Sequence, residues 1–183
     1  MTTIVGLSGS LRSGSFNTAL LRAAVELMPV GATLDVASIK GIPLYDGDVE
    51  KASGVPDVVT ALKERIVAAN GLLLVTPEYN NSLPGVFKNA IDWLSRPDTD
   101  IPRVFGNRPV AVIGASPGGF GTLLSQTAWL PVLKTLRTRA WFGGRLQVSR
   151  AGNVFDASGK LVDERVRDQL RTFLDGFVKF AAS

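Results

Sequence analysis

The chain has 183 residues, of which 45% are hydrophobic and 20% charged, and a net charge of +4. This length suits one packed core, so we expect a single domain over residues 1–183. It contains no cysteine and no histidine, which excludes disulfides, thiol catalysis, Ser-His-Asp hydrolysis and the usual zinc sites.

The distribution of charge and hydrophobicity bears on partners and location. Lysines and arginines are scattered rather than clustered, which favours a solvated surface or small anionic ligands over nucleic acid. No apolar run is long enough to cross a membrane, and the first residues, MTTIVG, contain no leader-like segment. We therefore expect a cytoplasmic protein with no nucleic-acid and no membrane partner.

Short runs rich in β-branched residues and leucine predict four buried strands, at residues 3–7, 33–37, 71–76 and 110–114, and a less distinct fifth around Gln147. Apolar residues recur with helical spacing at 16–27, 58–67, 83–94 and 166–177, with Pro84 suited to a first helical turn and Asp163 to an N-cap.

This alternation of strands and helices predicts the α/β class. The expected architecture is a three-layer flavodoxin-like sandwich, in which a five-stranded parallel sheet of order 2-1-3-4-5 has helices on both faces. Ligands of such sheets bind beyond the carboxyl ends of the strands, so the loops after strands one, three and four form the candidate site.

The first of these loops, SGSLRSGSFN at residues 8–17, leads directly into a helix. A phosphate could accept hydrogen bonds from the hydroxyls of Ser8, Ser10 and Ser15 and from the guanidinium of Arg12. The glycines of this loop let the backbone approach an anion, and the N-terminal amides of the following helix attract one. The spacing matches neither the dinucleotide fingerprint nor the Walker loop. A single phosphate is therefore predicted, and a plain helix cap at Ser15 or Asn17 is the alternative.

The other two loops add polar groups and bare backbone. TPEYNNSLPG at 76–85 suits hydrogen bonds to the edge of a planar ring, or alternatively a turn with left-handed asparagines. In GASPGGFGT at 114–122, the closely spaced Gly118, Gly119 and Gly121 predict close approach of a ligand or positive φ angles. Phe120 either forms a wall of the pocket or anchors the loop. Together the three loops predict a flat-ringed mononucleotide, best matched by FMN, which brings its own redox chemistry.

Five blocks, kept in order along nearly the whole chain, resemble the NADPH-dependent FMN reductase family, which includes bacterial quinone and chromate reductases and related azoreductases. They are GLSGSLRSGSFN, PLYD, TPEYNNSLPGVFKNAIDWLSRP, RPVAVIGASPGGFGT and NVFDASGKLVDE. The resemblance implies non-covalent FMN in a flavodoxin-like fold, NADPH or NADH as hydride donor, and a homodimer or homotetramer with FMN near the subunit interface. It also implies small-molecule acceptors: quinones, azo compounds, metal oxyanions such as chromate, or free flavin.

The resemblance assigns cofactor binding residue by residue and leaves catalysis to the flavin, with no catalytic side chain. The matching positions are Ser10, Arg12, Ser15, Phe16 and Asn17, then Pro77, Glu78, Tyr79 and Asn80, then Ser116, Gly118, Gly119 and Phe120. The chain departs from the family where members often carry an arginine after the third loop. Leu123, Leu124 and Ser125 stand there, and a second arginine is missing near Pro131. This departure concerns dinucleotide affinity and tetramer contacts.

Other functions stay open. A flavodoxin-type electron carrier would use a partner protein in place of NADPH, although such carriers tend to be strongly acidic and this chain is basic. A regulatory or interaction module is another alternative, although the aspartate pair of a phospho-receiver is missing after strand one. The segment 95–109 is a connecting loop, an oligomer contact or a flap over the flavin, and Arg96, Arg103 and Arg108 are candidates for binding a ribose phosphate.

Overall fold

A parallel sheet of order β2-β1-β3-β4-β5 forms the centre of the computed structural model, which describes residues 1–183. The strands are β1 Thr2–Ser8, β2 Ala32–Ala37, β3 Gly71–Val75, β4 Pro109–Ala115, β5 Arg139–Ala140 and β6 Gln147–Val148. The α-helices are α1 Phe16–Glu26, α2 Gly47–Ser53, α3 Asp57–Ala68, α4 Gly85–Leu94, α5 Ile101–Val104, α6 Leu123–Thr135 and α7 Glu164–Ala182. The predicted α/β class and strand order are confirmed.

The helices cover both faces of the sheet and bury two apolar clusters. One cluster lies between the sheet and α1 and α7, and the other between the sheet and α3, α4 and α6. All of β3 is buried, as expected for a parallel strand covered on both sides. Its side chains alternate between the clusters, with Leu73 in the first and Leu72 and Leu74 in the second.

The fifth position of the sheet is divided between two strands of two residues each. β5 pairs with the first residues of β4, and β6 pairs with its last residues, Gly114 and Ala115. Between them the chain leaves the sheet after Trp141, whose ring packs edge-on against Phe173 of α7 with the ring centroids 4.7 Å apart. The predicted fifth strand at Gln147 is therefore only the second half of this edge.

The predicted helices at α1, α3, α4 and α7 are present, with small shifts. Val59 rather than Val58 faces the core in α3, since Val58 is 37% exposed and Val59 fully buried. Pro84 stands just before α4 as its N-cap rather than in the first turn. Asp163 caps α7 as predicted, because its Oδ1 accepts the Val166 N–H at 2.9 Å. None of the helices combines the length and the hydrophobicity that a membrane-spanning segment requires.

The segment 95–109 connects the end of α4 to the start of β4, so it lies at the amino edge of the sheet. It contains α5 and is fixed by Lys63, whose Nζ donates to the Arg96 carbonyl and, at 2.9 Å, to Asp100 Oδ2. Ligand-binding loops of this fold lie at the opposite, carboxyl edge. Within its own chain the segment is therefore a connection with a short helix and not a flap over the carboxyl edge, and the oligomer contact stays a prediction.

Candidate functional site

The loops after β1, β3 and β4 meet at the carboxyl edge of the sheet and enclose a cleft of about 340 Å³. Its lining consists of Ser10, Arg12, Ser15, Phe16, Asn17, Pro77, Glu78, Tyr79, Ala115, Ser116 and Pro117. Four of the residues assigned by resemblance lie outside this lining: Asn80, Gly118, Gly119 and Phe120. The structure thus brings all three predicted loops together at one cleft and leaves the outer parts of the second and third loops at its rim.

α1 begins at the cleft with Ser15 as its N-cap. The Ser15 hydroxyl oxygen accepts the backbone N–H groups of Asn17 and Thr18 at 3.2 and 3.3 Å. The alternative of a helix cap is therefore correct for Ser15, but the hydroxyl hydrogen is still free to donate. Arg12 is exposed, and its Nη2 donates to the Gly14 carbonyl at 2.9 Å. The loop thus presents a cation, hydroxyl donors and the positive end of a helix.

Asn17 ties the first loop to the third. Its side chain is buried, its Nδ2 donates to the Ala115 carbonyl, and its Oδ1 accepts the Ala115 N–H, both at 2.9 Å. An amide makes this pair of bonds because it offers a donor and an acceptor in one plane. Asn17 therefore holds the end of β4 beside the start of α1, and it retains one amide hydrogen for another acceptor.

The second loop is a two-residue hairpin. The backbones of Tyr79 and Ser82 exchange two hydrogen bonds of 3.1 Å, and the intervening Asn80 and Asn81 have φ angles of 51° and 61°. These angles define a type I′ turn, which asparagine tolerates well. The alternative of left-handed asparagines is therefore correct. It places Asn80 at the exposed tip of the turn, whereas Tyr79 stays on the cleft wall.

Glu78 makes a contact that the sequence does not indicate. Its Oε2 accepts the backbone N–H groups of Leu124 at 2.9 Å and Ser125 at 3.1 Å, in the first turn of α6. The carboxylate therefore caps a helix that lies 46 residues further along the chain. No local pattern predicts such a partner, since capping residues are normally sought just before the helix that they cap.

The glycines of the first and third loops differ in whether the structure requires glycine at their positions, and why. A Cβ at Gly9 would overlap the Phe87 ring, so packing inside the chain requires that glycine. Gly121 has a φ of +57°, which favours glycine directly. Gly118 and Gly119 have neither a positive φ nor any neighbouring atom within 4 Å of a built Cβ. Nothing within the chain requires glycine at these two positions.

The arginines considered for a ribose phosphate are engaged elsewhere. Arg96 pairs with Glu50 at 2.9 Å and lowers the pKa of that carboxyl, and Arg103 pairs with Glu64 at 2.9 Å. Arg108 donates to the Ala69 carbonyl at 2.6 Å, and burial lowers its pKa. None of the three lines the cleft. No cluster of acidic side chains suited to a metal ion is present either.

Comparison with known proteins gives a consistent set of relatives. The model of the NADPH-dependent FMN reductase family matches residues 2–152. An NAD(P)H-dependent FMN reductase from Pseudomonas aeruginosa is 45% identical over 168 residues, covering 92% of this chain and 89% of that protein. A 2-hydroxy-1,4-benzoquinone reductase from Burkholderia sp is 41% identical over 174 residues, covering 95% and 91%. The solved structure of the flavoenzyme NAD(P)H:(acceptor) oxidoreductase FerB from Paracoccus denitrificans superposes with a TM-score of 0.88 at 32% identity, covering 100% and 98%.

Proposed function

The chain belongs to the NADPH-dependent FMN reductase family and is an FMN-dependent NAD(P)H oxidoreductase, and we propose that the cleft at the carboxyl edge of its sheet holds the FMN. Held there by the loops of Ser10, Arg12, Tyr79 and Ser116, FMN would supply the redox chemistry for transfer of electrons from a nicotinamide dinucleotide to a small-molecule acceptor. The observation that carries the proposal is the convergence of three loops, distant in sequence, on one cleft. The volume of this cleft, about 340 Å³, lies within the usual range for a cofactor site.

The donors of the first loop fit the phosphate end of FMN. Arg12, Ser10 and Ser15 line the cleft beside the N-terminus of α1, and the guanidinium of Arg12 forms no ion pair within the chain. Helix N-termini and charge-assisted hydrogen bonds both stabilise phosphates. The only carboxylate on the lining is that of Glu78, and its Oε2 is already bound by two backbone N–H groups. We therefore assign the phosphate to this end of the cleft.

The second and third loops fit a flat ring. Gly118 and Gly119 leave open space where side chains would project, and Ser116 lines the cleft beside them. Tyr79 also lines the cleft and is 47% exposed, so its ring can pack against a planar group. In this proposal four residues outside the lining contact the outer face of the bound ring at the rim of the cleft: Asn80, Gly118, Gly119 and Phe120.

Quinones are the acceptors that we propose first. The Burkholderia relative is named for a benzoquinone, and the exposed rings of Tyr79 and Phe120 near the cleft suit a planar aromatic substrate. Azo compounds, chromate and free flavin remain further proposed acceptors. The hydride donor is NADPH or NADH, and a cytoplasmic location is part of the proposal because the reaction draws on these dinucleotides.

We also propose a homodimer or homotetramer with the FMN near the interface. The N-terminus of α6 lies next to Glu78, which lines the cleft. The helix carries no charged residue before Lys134. Its Leu123, Leu124 and Leu130 are 40%, 38% and 42% exposed. A helix that is apolar on its outward side is typical of one covered by another surface. Leu130→Asp is expected to lower the assembly state in sedimentation, and an unchanged state would place the interface elsewhere.

Purified protein tests the proposed function directly. We expect a yellow protein with flavin absorbance that NADPH bleaches without any partner protein, followed by turnover with a benzoquinone. A colourless protein that takes up no added FMN would overturn the proposal. A yellow protein that NADPH and NADH both fail to reduce would identify an electron carrier instead.

Arg12 provides a test at the level of one residue. Arg12→Ala is expected to weaken FMN binding by about 1.5–3 kcal/mol, the usual value of a hydrogen bond to a charged group. Arg22→Ala, which removes the same charge from an exposed position on α1 outside the cleft lining, is the matched control. Fluorescence titration with FMN measures both. Equal affinities of the two variants would show that Arg12 does not bind the phosphate.

A further inference from the structure

We propose that Glu78 is a positioning residue, which fixes the second and third loops against each other by capping α6 and does not itself bind the flavin. The inference rests on the proposed function and gives Glu78 a different role from the direct cofactor contact that the family resemblance implies. It is carried by the two bonds from the Leu124 and Ser125 N–H groups to one carboxylate oxygen.

The start of α6 has no cap of its own. Thr122 occupies the N-cap position with a φ of 68° and a ψ of 24°, and its side chain makes no capping bond. Its buried Oγ1 accepts instead from Gln126 Nε2 at 3.1 Å. The first N–H groups of a helix need external acceptors, and a negative charge is favoured at that end. Glu78 supplies both the acceptor and the charge, from a different loop.

Buried side chains tie the same two elements together beneath Glu78. The hydroxyl oxygens of Thr76 and Ser125 lie 2.9 Å apart, and Trp129 Nε1 donates to Thr76 Oγ1 at 3.0 Å. All three residues are fully buried. The end of β3 and the first turns of α6 therefore form one hydrogen-bonded unit, in which Glu78 is the member closest to the cleft.

This arrangement sets the spacing of two loops that line the cleft. Glu78 and Tyr79 line it from the second loop, and the third loop, which lines it at Ser116, runs directly into α6. Without the cap, the first turn of α6 would lose two acceptors and the third loop would lose its fixed end. The cap also places the positive end of α6 beside the carboxylate, which reduces the repulsion between Glu78 and an anionic cofactor.

Three substitutions separate side-chain length from charge. Glu78→Gln keeps the length and an oxygen that can accept both N–H groups, whereas Glu78→Asp keeps the charge but is one methylene too short. We expect the FMN Kd of Glu78→Gln to stay within about threefold of the native value, and those of Glu78→Asp and Glu78→Ala to rise about tenfold, as loss of a helix cap allows. Retained affinity in Glu78→Asp with loss in Glu78→Gln would indicate a direct charge contact and overturn the proposal.

Amide hydrogen exchange measures the effect of the helix cap in the absence of FMN. In the flavin-free protein, the Leu124 and Ser125 amides are expected to exchange faster in Glu78→Asp and Glu78→Ala and at the native rate in Glu78→Gln. Unchanged rates in all three variants would overturn the capping role. If the native chain binds no FMN, the proposed function fails, and these rates still decide whether Glu78 holds α6.

Asp163 is the matched control, since it caps α7 through Val166 and does not line the cleft. Asp163→Ala is expected to lower the thermal midpoint and to leave the FMN Kd unchanged. An equal loss of FMN affinity in Asp163→Ala would show that affinity follows general stability rather than the spacing of the two loops, and the positioning role would be wrong.

Discussion

At the scale of single residues, the buried amide of Asn17 holds the end of β4 against α1 through two bonds of 2.9 Å to Ala115. Asn17→Ala leaves the Ala115 N–H and carbonyl without these partners in a buried position. A buried polar group that loses its partner costs about 1–3 kcal/mol. We expect the free energy of unfolding of the flavin-free protein to fall by that amount in urea titrations with an unchanged m-value.

Asn70 supplies the control for this prediction. Its Oδ1 also accepts a backbone N–H, that of Thr3 at 2.9 Å, but the residue is exposed and water can replace it. Asn70→Ala is therefore expected to cost about 0.5 kcal/mol or less. Comparable losses in the two variants would mean that the Asn17 amide contributes nothing beyond an ordinary surface bond.

Residue types and their position in the fold were enough to predict most of the cleft lining. Ser10, Arg12 and Tyr79 could be located because their loops follow strands that end at one sheet edge. The partners of Asn17 and Glu78 could not be predicted, because Ala115 and Leu124 lie 98 and 46 residues away and neither pair belongs to a local motif. The sequence thus indicates which side chains meet the cleft but not which of them are already engaged.

At the scale of elements, the sequence gives a weak signal for the divided edge strand and for α6. β1, β3 and β4 carry continuous apolar runs and β2 has a shorter apolar pattern, whereas β5 and β6 have two residues each and are held by pairing to β4. α6 gives a weak signal for another reason. Its apolar residues do not keep to one side, since Trp129 and Leu133 are buried while Leu124 and Leu130 are exposed. Periodicity finds a helix only where one face is polar.

Among the ion pairs of the segment before β4, one has a buried cation. Lys63 is 2% exposed and its Nζ lies 2.9 Å from Asp100 Oδ2, and this hydrogen bond lowers the pKa of Asp100 below its ordinary value of 3.8. Asp100→Asn keeps an oxygen that can accept the hydrogen bond but removes the counter-charge from the buried ammonium group. We expect the free energy of unfolding at pH 7 to fall by about 1–3 kcal/mol, because a buried charge loses its counter-charge.

The sign of the pH dependence follows from the lowered pKa. The carboxylate contributes its stability above the pKa of the unfolded chain, and this contribution is lost as the pH falls through the lower folded-state pKa. The difference between the native chain and Asp100→Asn should therefore be constant from pH 7 to about 5 and shrink below about 4. Asp35→Asn, which breaks the exposed pair with Arg65, is the control and should cost about 1 kcal/mol or less. A constant difference down to pH 3 would contradict the assignment to Asp100.

At the scale of the whole molecule, composition sets the response to pH near neutrality. The chain has no histidine and no cysteine, and the ordinary pKa values of its other side chains lie below about 5 or above about 9. The carboxyls of Glu50, Asp100 and Asp156 have their pKa shifted down and the Tyr45 pKa is shifted up, so each of these groups moves away from neutrality. The chain therefore lacks the two side-chain types whose ordinary pKa values lie nearest to the interval between pH 6 and 7.

Stability should accordingly be flat in that interval, because the free energy of unfolding changes with pH only when the folded and unfolded states bind different numbers of protons. We expect urea midpoints at pH 6.0, 6.5 and 7.0 to coincide. A urea midpoint that shifts between pH 6.0 and 7.0 in the flavin-free protein would contradict the expected flat stability.

FMN affinity, in contrast to stability, should change with pH in this interval, since the second pKa of a phosphate monoester is about 6 and the ligand itself gains a proton as the pH falls. Affinity should weaken toward pH 6 in the native chain and less so in Arg12→Ala, because a guanidinium favours the dianion.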